Sequence, residues 1–113
     1  MELFRRNVEE AAAFVRSQLE VRPEIGLILG TGLGGVAESI ENATVIPYSA
    51  IPHFPVSTVL SHQGQLACGR WATKPIIAMQ GRFHLYEGYT PQEISFPIRV
   101  MKALGVHLII ISA

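Results

Sequence analysis

Apolar residues recur every three or four positions along the first part of the chain. From Leu3 to Leu19 they form one face, and charged residues fill the other. This spacing predicts an amphipathic helix that ends before Pro23, because the residue before a proline disfavours helical backbone. A second helix is predicted from Pro91 to about Leu104. It follows the capping sequence Thr90-Pro91-Gln92-Glu93 and is expected to be bent or interrupted near Pro97.

Uncharged apolar runs predict the strands of a buried sheet. Ile25–Leu29 reads as a strand covered on both faces. The other predicted strands are Thr44–Ile46, Gln65–Trp71, Pro75–Gln80 and Val106–Ile111. Pro47–Pro55 contains three prolines and predicts an irregular loop, in which His53 and Phe54 are interpreted as packing residues rather than catalytic ones. This order of elements predicts an α/β fold around a mixed, largely buried sheet.

The composition narrows the class of protein. Hydrophobic residues make up 49% of the 113 residues and charged residues 16%, which is typical of one globular domain. Lys plus Arg and Asp plus Glu number nine each, so nothing favours nucleic acid or an anionic membrane as a partner. Cys68 is the single cysteine and is interpreted as a buried filler. With neither a signal peptide nor a membrane-spanning run apparent, a cytoplasmic location is expected.

A glycine-rich turn follows the first predicted strand. The segment Gly30-Thr31-Gly32-Leu33-Gly34-Gly35 can bring backbone N–H groups close to a ligand, and Thr31 adds a hydroxyl. One interpretation is a phosphate cradle, and the other is a tight strand-to-helix turn that needs glycine for steric reasons. The spacing also fits a dinucleotide-binding fingerprint, but the predicted following helix, Gly35–Ile40, is short. No carboxylate stands about twenty residues on, where that motif places one.

The segment Gly81-Arg82-Phe83-His84-Leu85-Tyr86-Glu87-Gly88 follows another apolar strand. Arg82 and His84 project to the same side of an extended backbone, so both can face one anion. The alternative is a surface salt bridge between Arg82 and Glu87. His62, in the turn Ser61-His62-Gln63-Gly64, is by itself most simply a structural histidine.

Three of these segments resemble motifs of trimeric purine nucleoside phosphorylases, in the same order. They are Ile28-Leu29-Gly30-Thr31-Gly32-Leu33-Gly34, Leu60-Ser61-His62-Gln63-Gly64 and the segment from Gly81 to Gly88. The resemblance runs from about Pro23 to the last residue. It implies a three-layer αβα sandwich around a mixed sheet, with residues 1–113 as the N-terminal portion of a single nucleoside phosphorylase domain.

The resemblance also implies a reaction and roles for individual residues. The reaction is cleavage of a purine ribonucleoside by inorganic phosphate, giving the free base and ribose 1-phosphate. The phosphate-binding positions are matched by Thr31, His62, Arg82 and His84. Tyr86 matches a residue that lies against the ribose, and the catalytic positions are matched by His84 and Glu87. No metal or organic cofactor is implied, phosphate is the co-substrate, and a homotrimer is expected when the protein is full length.

Several alternatives stay open at this point. A related branch of the family acts on 5′-methylthioadenosine, and base specificity is decided by residues expected beyond Ala113. Two non-enzymatic interpretations also stay open, namely an inactive fragment and a phosphate-binding module. The chain stops just after the apolar run Leu108–Ile111, which suggests truncation. One face of the sheet, or the strand edge there, is expected to be left open. The isolated chain is expected to be marginally stable or aggregating, and catalytically inactive.

Overall fold

The computed structural model describes residues 2–29, 38–55, 64–80 and 90–111. Its elements are α1 Glu2–Gln18, β1 Ile25–Leu29, β2 Glu41–Pro47, a 3₁₀ turn at Tyr48–Ala50, β3 Gln65–Trp71, β4 Lys74–Gln80, α2 Pro91–Ala103 and β5 Leu108–Ile111. The helices predicted from Leu3 and from Pro91 and the five predicted strands are confirmed, although β2 is longer than expected. The short helix predicted at Gly35–Ile40 lies partly outside the described residues. Helix α2 runs through Pro97 without interruption, contrary to one reading of the sequence.

The strands form one mixed sheet in the order β2-β3-β4-β1-β5. β1 is parallel to both of its neighbours, β4 and β5, whereas β3 is antiparallel to both β2 and β4. The hairpin between β3 and β4 turns on Ala72 and Thr73, whose φ angles are 51° and 69°. Positive φ at both turn residues matches the right-handed twist of the flanking strands. The predicted α/β fold around a mixed sheet is therefore confirmed.

The two faces of the sheet bury separate sets of side chains. Helices α1 and α2 pack on one face, where the buried strand residues include Ile28, Leu66, Ile77 and Met79. The helices also contact each other, with the rings of Phe4 and Phe96 edge to face at 5.8 Å. The opposite face buries Leu27, Ile40, Ala67, Ile76 and Ala78. The described residues thus show one helical layer of the sandwich. The central strands β1, β3 and β4 are covered on both faces, as the apolar sequence of β1 predicts.

Helix α2 begins and ends as its sequence predicts. The Thr90 hydroxyl accepts a hydrogen bond from the Glu93 N–H at 3.1 Å, and the Glu93 carboxylate accepts one from the Thr90 N–H at 2.9 Å. This reciprocal capping box satisfies two N–H groups that a helix start otherwise leaves unpaired. Gly105 follows the helix with φ of 106°, a backbone conformation that favours glycine.

The loop after β2 corrects one interpretation. Phe54 is buried, and its ring lies 5.1 Å from the ring of Tyr48 and 5.9 Å from that of Phe96. Phe54 is therefore the packing residue that the sequence predicts. His53 is not, because its side chain is 38% exposed and its Nε2 pairs with the carboxylate of Glu10 on α1. The earlier interpretation failed since Glu10 stands 43 positions away along the chain.

β5 forms one edge of the sheet and leaves apolar side chains in solvent. Leu108, Ile110 and Ile111 are 49%, 48% and 62% exposed. The prediction of an open, uncharged edge is confirmed. Across the described ranges no helix is both long enough and apolar enough to span a membrane.

Candidate active site at the upper edge of the sheet

The residues that the sequence assigns to phosphate, ribose and catalysis all lie outside the described residues. They are Thr31, His62, Arg82, His84, Tyr86 and Glu87. Their predicted roles stay predictions, and so does the choice between an anion site and a surface salt bridge of Arg82 with Glu87. The structure does describe the strand ends from which these segments leave the sheet and to which they return.

Those strand ends form a single row across the sheet, which we call the upper edge. The row consists of Pro47 of β2, Gln65 of β3, Gln80 of β4 and Leu29 of β1, with Ile111 of β5 paired to Ile28 beside it. Neighbouring strands lie about 4.8 Å apart, so the ends of β1 and β3 are separated by about 10 Å across β4. The glycine-rich turn starts after Leu29, the Arg82 segment starts after Gln80, and the His62 segment ends before Gln65.

A close contact at Gly64 fixes where the His62 segment rejoins the sheet. The Tyr48 N–H donates to the Gly64 carbonyl at 3.1 Å, and Tyr48 is 2% exposed. A Cβ atom added at Gly64 would lie 2.2 Å from Cε2 of Tyr48 and 2.8 Å from the backbone oxygen of Gln80. Only a residue without a side chain fits between that ring and that carbonyl. The backbone just before β3 is therefore held against β4.

A side-chain hydrogen bond joins two strands at the same place. Nε2 of Gln65 donates to Oε1 of Gln80 at 2.7 Å, and the bond is partly buried. The sequence reasoning missed both residues as functional candidates. One feature of the sequence could have identified them: each is a polar residue at one end of an apolar strand, directly beside a candidate motif.

The described part of the upper edge is electrically neutral. None of the five side chains in the row is ionisable. Burial raises the pKa of the nearby Tyr48 phenol well above its ordinary value, so that ring stays uncharged. Cys68 is 3% exposed, which confirms the interpretation of this cysteine as a buried filler, and burial raises the pKa of its thiol to about 11. Among these residues an anion finds no opposite charge, so the candidate cations are those of the predicted motifs.

The sheet topology excludes the dinucleotide-binding reading of the glycine-rich turn. In that fold the strands before and after the first helix are neighbours in the sheet. Here β2 lies three positions from β1, with β3 and β4 between them. The fingerprint spacing is therefore coincidental, as the short predicted helix and the missing carboxylate suggest.

Comparison with known proteins identifies the family. The family model described as the phosphorylase superfamily matches residues 24–113. The chain is 53% identical over 108 residues to purine nucleoside phosphorylase 1 of Geobacillus stearothermophilus, covering 96% of this chain and 39% of that protein. It is 54% identical over 105 residues to purine nucleoside phosphorylase 1 of Bacillus subtilis, covering 93% of this chain and 39% of that protein. The chain thus spans about two fifths of these relatives.

Solved structures agree with the sequence comparison. Isoform 2 of the Schistosoma mansoni purine nucleoside phosphorylase, in complex with cytosine and ribose-1-phosphate, superposes with a TM-score of 0.89 at 50% identity, covering 94% of this chain and 37% of that one. The Schistosoma mansoni enzyme in complex with inosine superposes with a TM-score of 0.88 at 40% identity, over 94% of this chain and 37% of that one. Sequence and fold agree over nearly all of the chain, which therefore belongs to the phosphorylase superfamily.

Proposed function

We propose that this chain supplies the phosphate site and part of the ribose site of a purine nucleoside phosphorylase. Such an enzyme cleaves a purine ribonucleoside with inorganic phosphate to give the free base and ribose 1-phosphate. The observation that supports the proposal is the upper edge, where the ends of β1, β3 and β4 stand in one row. All three candidate motifs begin or end at that row, and the ligands of open α/β sheets bind outside the carboxyl ends of parallel strands.

The proposed phosphate ligands are the side chains of Thr31, His62, Arg82 and His84. Arg82 offers a planar fork of N–H donors that matches two phosphate oxygens, and the Thr31 hydroxyl and His84 ring add donors of other geometry. The sugar develops positive charge as the bond to the base breaks. A phosphate held beside it then stabilises that charge and is positioned to attack C1′.

Two further residues complete the proposed site. Tyr86 lies against the ribose, and Glu87 orients neighbouring groups rather than transferring a proton. We propose no metal or organic cofactor, since phosphate itself is the second reactant. A homotrimeric, cytoplasmic protein is proposed for the full-length form, by analogy with the family.

The relatives support purine nucleosides as the substrate class. Those compared above are purine nucleoside phosphorylases, and one of them was solved with inosine and another with ribose-1-phosphate. They favour a purine nucleoside over 5′-methylthioadenosine.

A chimera tests the proposal, with residues 1–113 replacing the matched segment of the Geobacillus stearothermophilus enzyme. Release of hypoxanthine from inosine and phosphate measures the activity. In this chimera we expect Arg82→Ala to raise KM for phosphate by about 10- to 100-fold, the value of one charge-assisted hydrogen bond. Its melting temperature should stay close to that of the parent chimera.

Arg70→Ala provides the matched control. Arg70 is an exposed arginine towards the opposite end of β3. The hydrogen bond described for its guanidinium is donated to the Thr73 carbonyl at 3.3 Å. The control should leave KM for phosphate unchanged. If Arg82→Ala lowered stability and activity in equal measure, the surface salt bridge with Glu87 would be the better reading. A parent chimera without turnover would favour an inactive fragment or a phosphate-binding module.

A further inference from the structure

We infer that Gln65 and Gln80 are positioning residues for the phosphate site, an inference that rests on the function proposed above. Neither glutamine is placed among the phosphate ligands. Each stands at the end of a strand, and each is within three residues of a candidate ligand along the chain: Gln65 follows His62, and Gln80 precedes Arg82.

Their hydrogen bond joins the two segments directly. Gln65 is the first residue of β3 and Gln80 the last of β4, and the two are strand partners. The bond from Nε2 of Gln65 to Oε1 of Gln80 is 2.7 Å long and partly buried. Partial burial strengthens it, since water competes less for the two amides. Strand ends otherwise open more easily than strand centres, and this bond lies at the end where the ligand-bearing segments begin.

The surroundings indicate that the amides hold the strands together and do not simply fill space. The next pair on the same face of the sheet is Ala67 with Ala78, and both residues are buried among apolar side chains. On this face of β3 and β4, the pair Gln65 and Gln80 is polar and the neighbouring pair is apolar. On the β3 side, Gly64 is wedged between the Tyr48 ring and the Gln80 carbonyl. Two independent constraints therefore fix the distance between the ends of β3 and β4.

Replacement of one glutamine removes the bond while keeping the side-chain size. In the chimera described above, Gln65→Leu or Gln80→Leu should raise KM for phosphate about fivefold, the value of one neutral hydrogen bond. KM for inosine and kcat should change less than KM for phosphate, since Tyr86 is the one ribose contact proposed in segment 81–89 and no base contact is proposed there. The double variant should match either single variant, because all three lack the same bond.

Gln18→Leu is the control, an identical substitution at the exposed glutamine that ends α1. Hydrogen exchange of segment 81–89 provides a second measurement, which does not require activity. Either glutamine variant should speed this exchange about fivefold over the control.

The outcomes separate this inference from the proposed function. An inactive parent chimera would refute the proposed function. Hydrogen exchange of segment 81–89 would then be the measurement that tests whether the glutamines position that segment. Unchanged exchange in segment 81–89 overturns the inference in either case. In an active chimera, a phosphate KM within twofold of the parent also overturns it. So does a parallel change of kcat and both KM values, since that pattern indicates general destabilisation.

Discussion

The substitution Gly64→Ala probes how tightly the upper edge is built. The added methyl group would lie 2.2 Å from Cε2 and 2.7 Å from Cδ2 of Tyr48, and 2.8 Å from the Gln80 carbonyl oxygen. Carbon atoms in contact normally stay about 3.5–4.0 Å apart, so the ring must retreat by more than about 1 Å. That retreat is opposed because Tyr48 is buried against Phe54. Overpacking of this kind costs about 3 kcal/mol, the upper end of its usual range.

Thermal unfolding of the chimera measures the effect. In the full-length chimera, of which the matched 108 residues are 39%, a loss of about 3 kcal/mol lowers the melting temperature by about 6–12 °C. Gly26→Ala is the comparison, because the nearest neighbour of its added methyl group, at 2.8 Å, is Sδ of the unbranched Met101 side chain, which can adjust more easily than a ring. Its cost should be below about 1.5 kcal/mol. The reasoning is refuted if Gly64→Ala melts within about 2 °C of Gly26→Ala.

Four other predictions follow from the described residues. The raised pKa of Cys68, about 11, means that the folded state disfavours the thiolate, so stability is full at neutral pH and declines as pH rises from about 9 towards 11. Cys68→Ala should flatten that decline in pH-dependent urea unfolding, and a slope identical to the parent would contradict this. Thr90→Ala should cost about 1 kcal/mol and Thr90→Ser much less, as measured by thermal unfolding, since the serine keeps the oxygen that accepts from Glu93; equal costs would argue against the cap. The isolated chain should associate in sedimentation experiments, and Ile110→Lys on the exposed edge should reduce that association; a clean monomer with a cooperative melt would refute the first part. Calorimetry should detect no NAD binding, and micromolar affinity would contradict the topological argument.

The sequence predicts elements whose signals are local. Helix α1 and strand β1 follow from spacing and apolar continuity, and the start of α2 follows from a capping box visible in the letters. The extension of β2 to Glu41 was missed because its first residues are polar and exposed. Asn42, with φ of 53°, also interrupts the pairing between Glu41 and Thr44, so no alternation marks this edge strand.

For the candidate site, the sequence suggests residue types but not their arrangement. The glycine-rich turn and the Arg82 segment carry groups suited to an anion, and the family resemblance suggests roles for their residues, which stay predictions. That their strands end in one row depends on β1 lying next to β4, a pairing no local pattern reveals. The bond between Gln65 and Gln80 was equally hidden, because it requires the register of the hairpin.

The central place of β1 has a consequence for how the chain folds during synthesis. Both partners of β1 are made long after it, since Leu29 pairs with Gln80, about 50 residues later, and Ile28 with Ile111. Ribosomes add roughly 5–20 residues per second, so β1 waits about 3–10 s for its first partner. During that wait β2 and β3 can already pair, and β4 then extends them into a contiguous antiparallel meander. The strand that leads into the glycine-rich turn is then a late addition to that meander, and its apolar surface is what a chaperone would meet on the nascent chain.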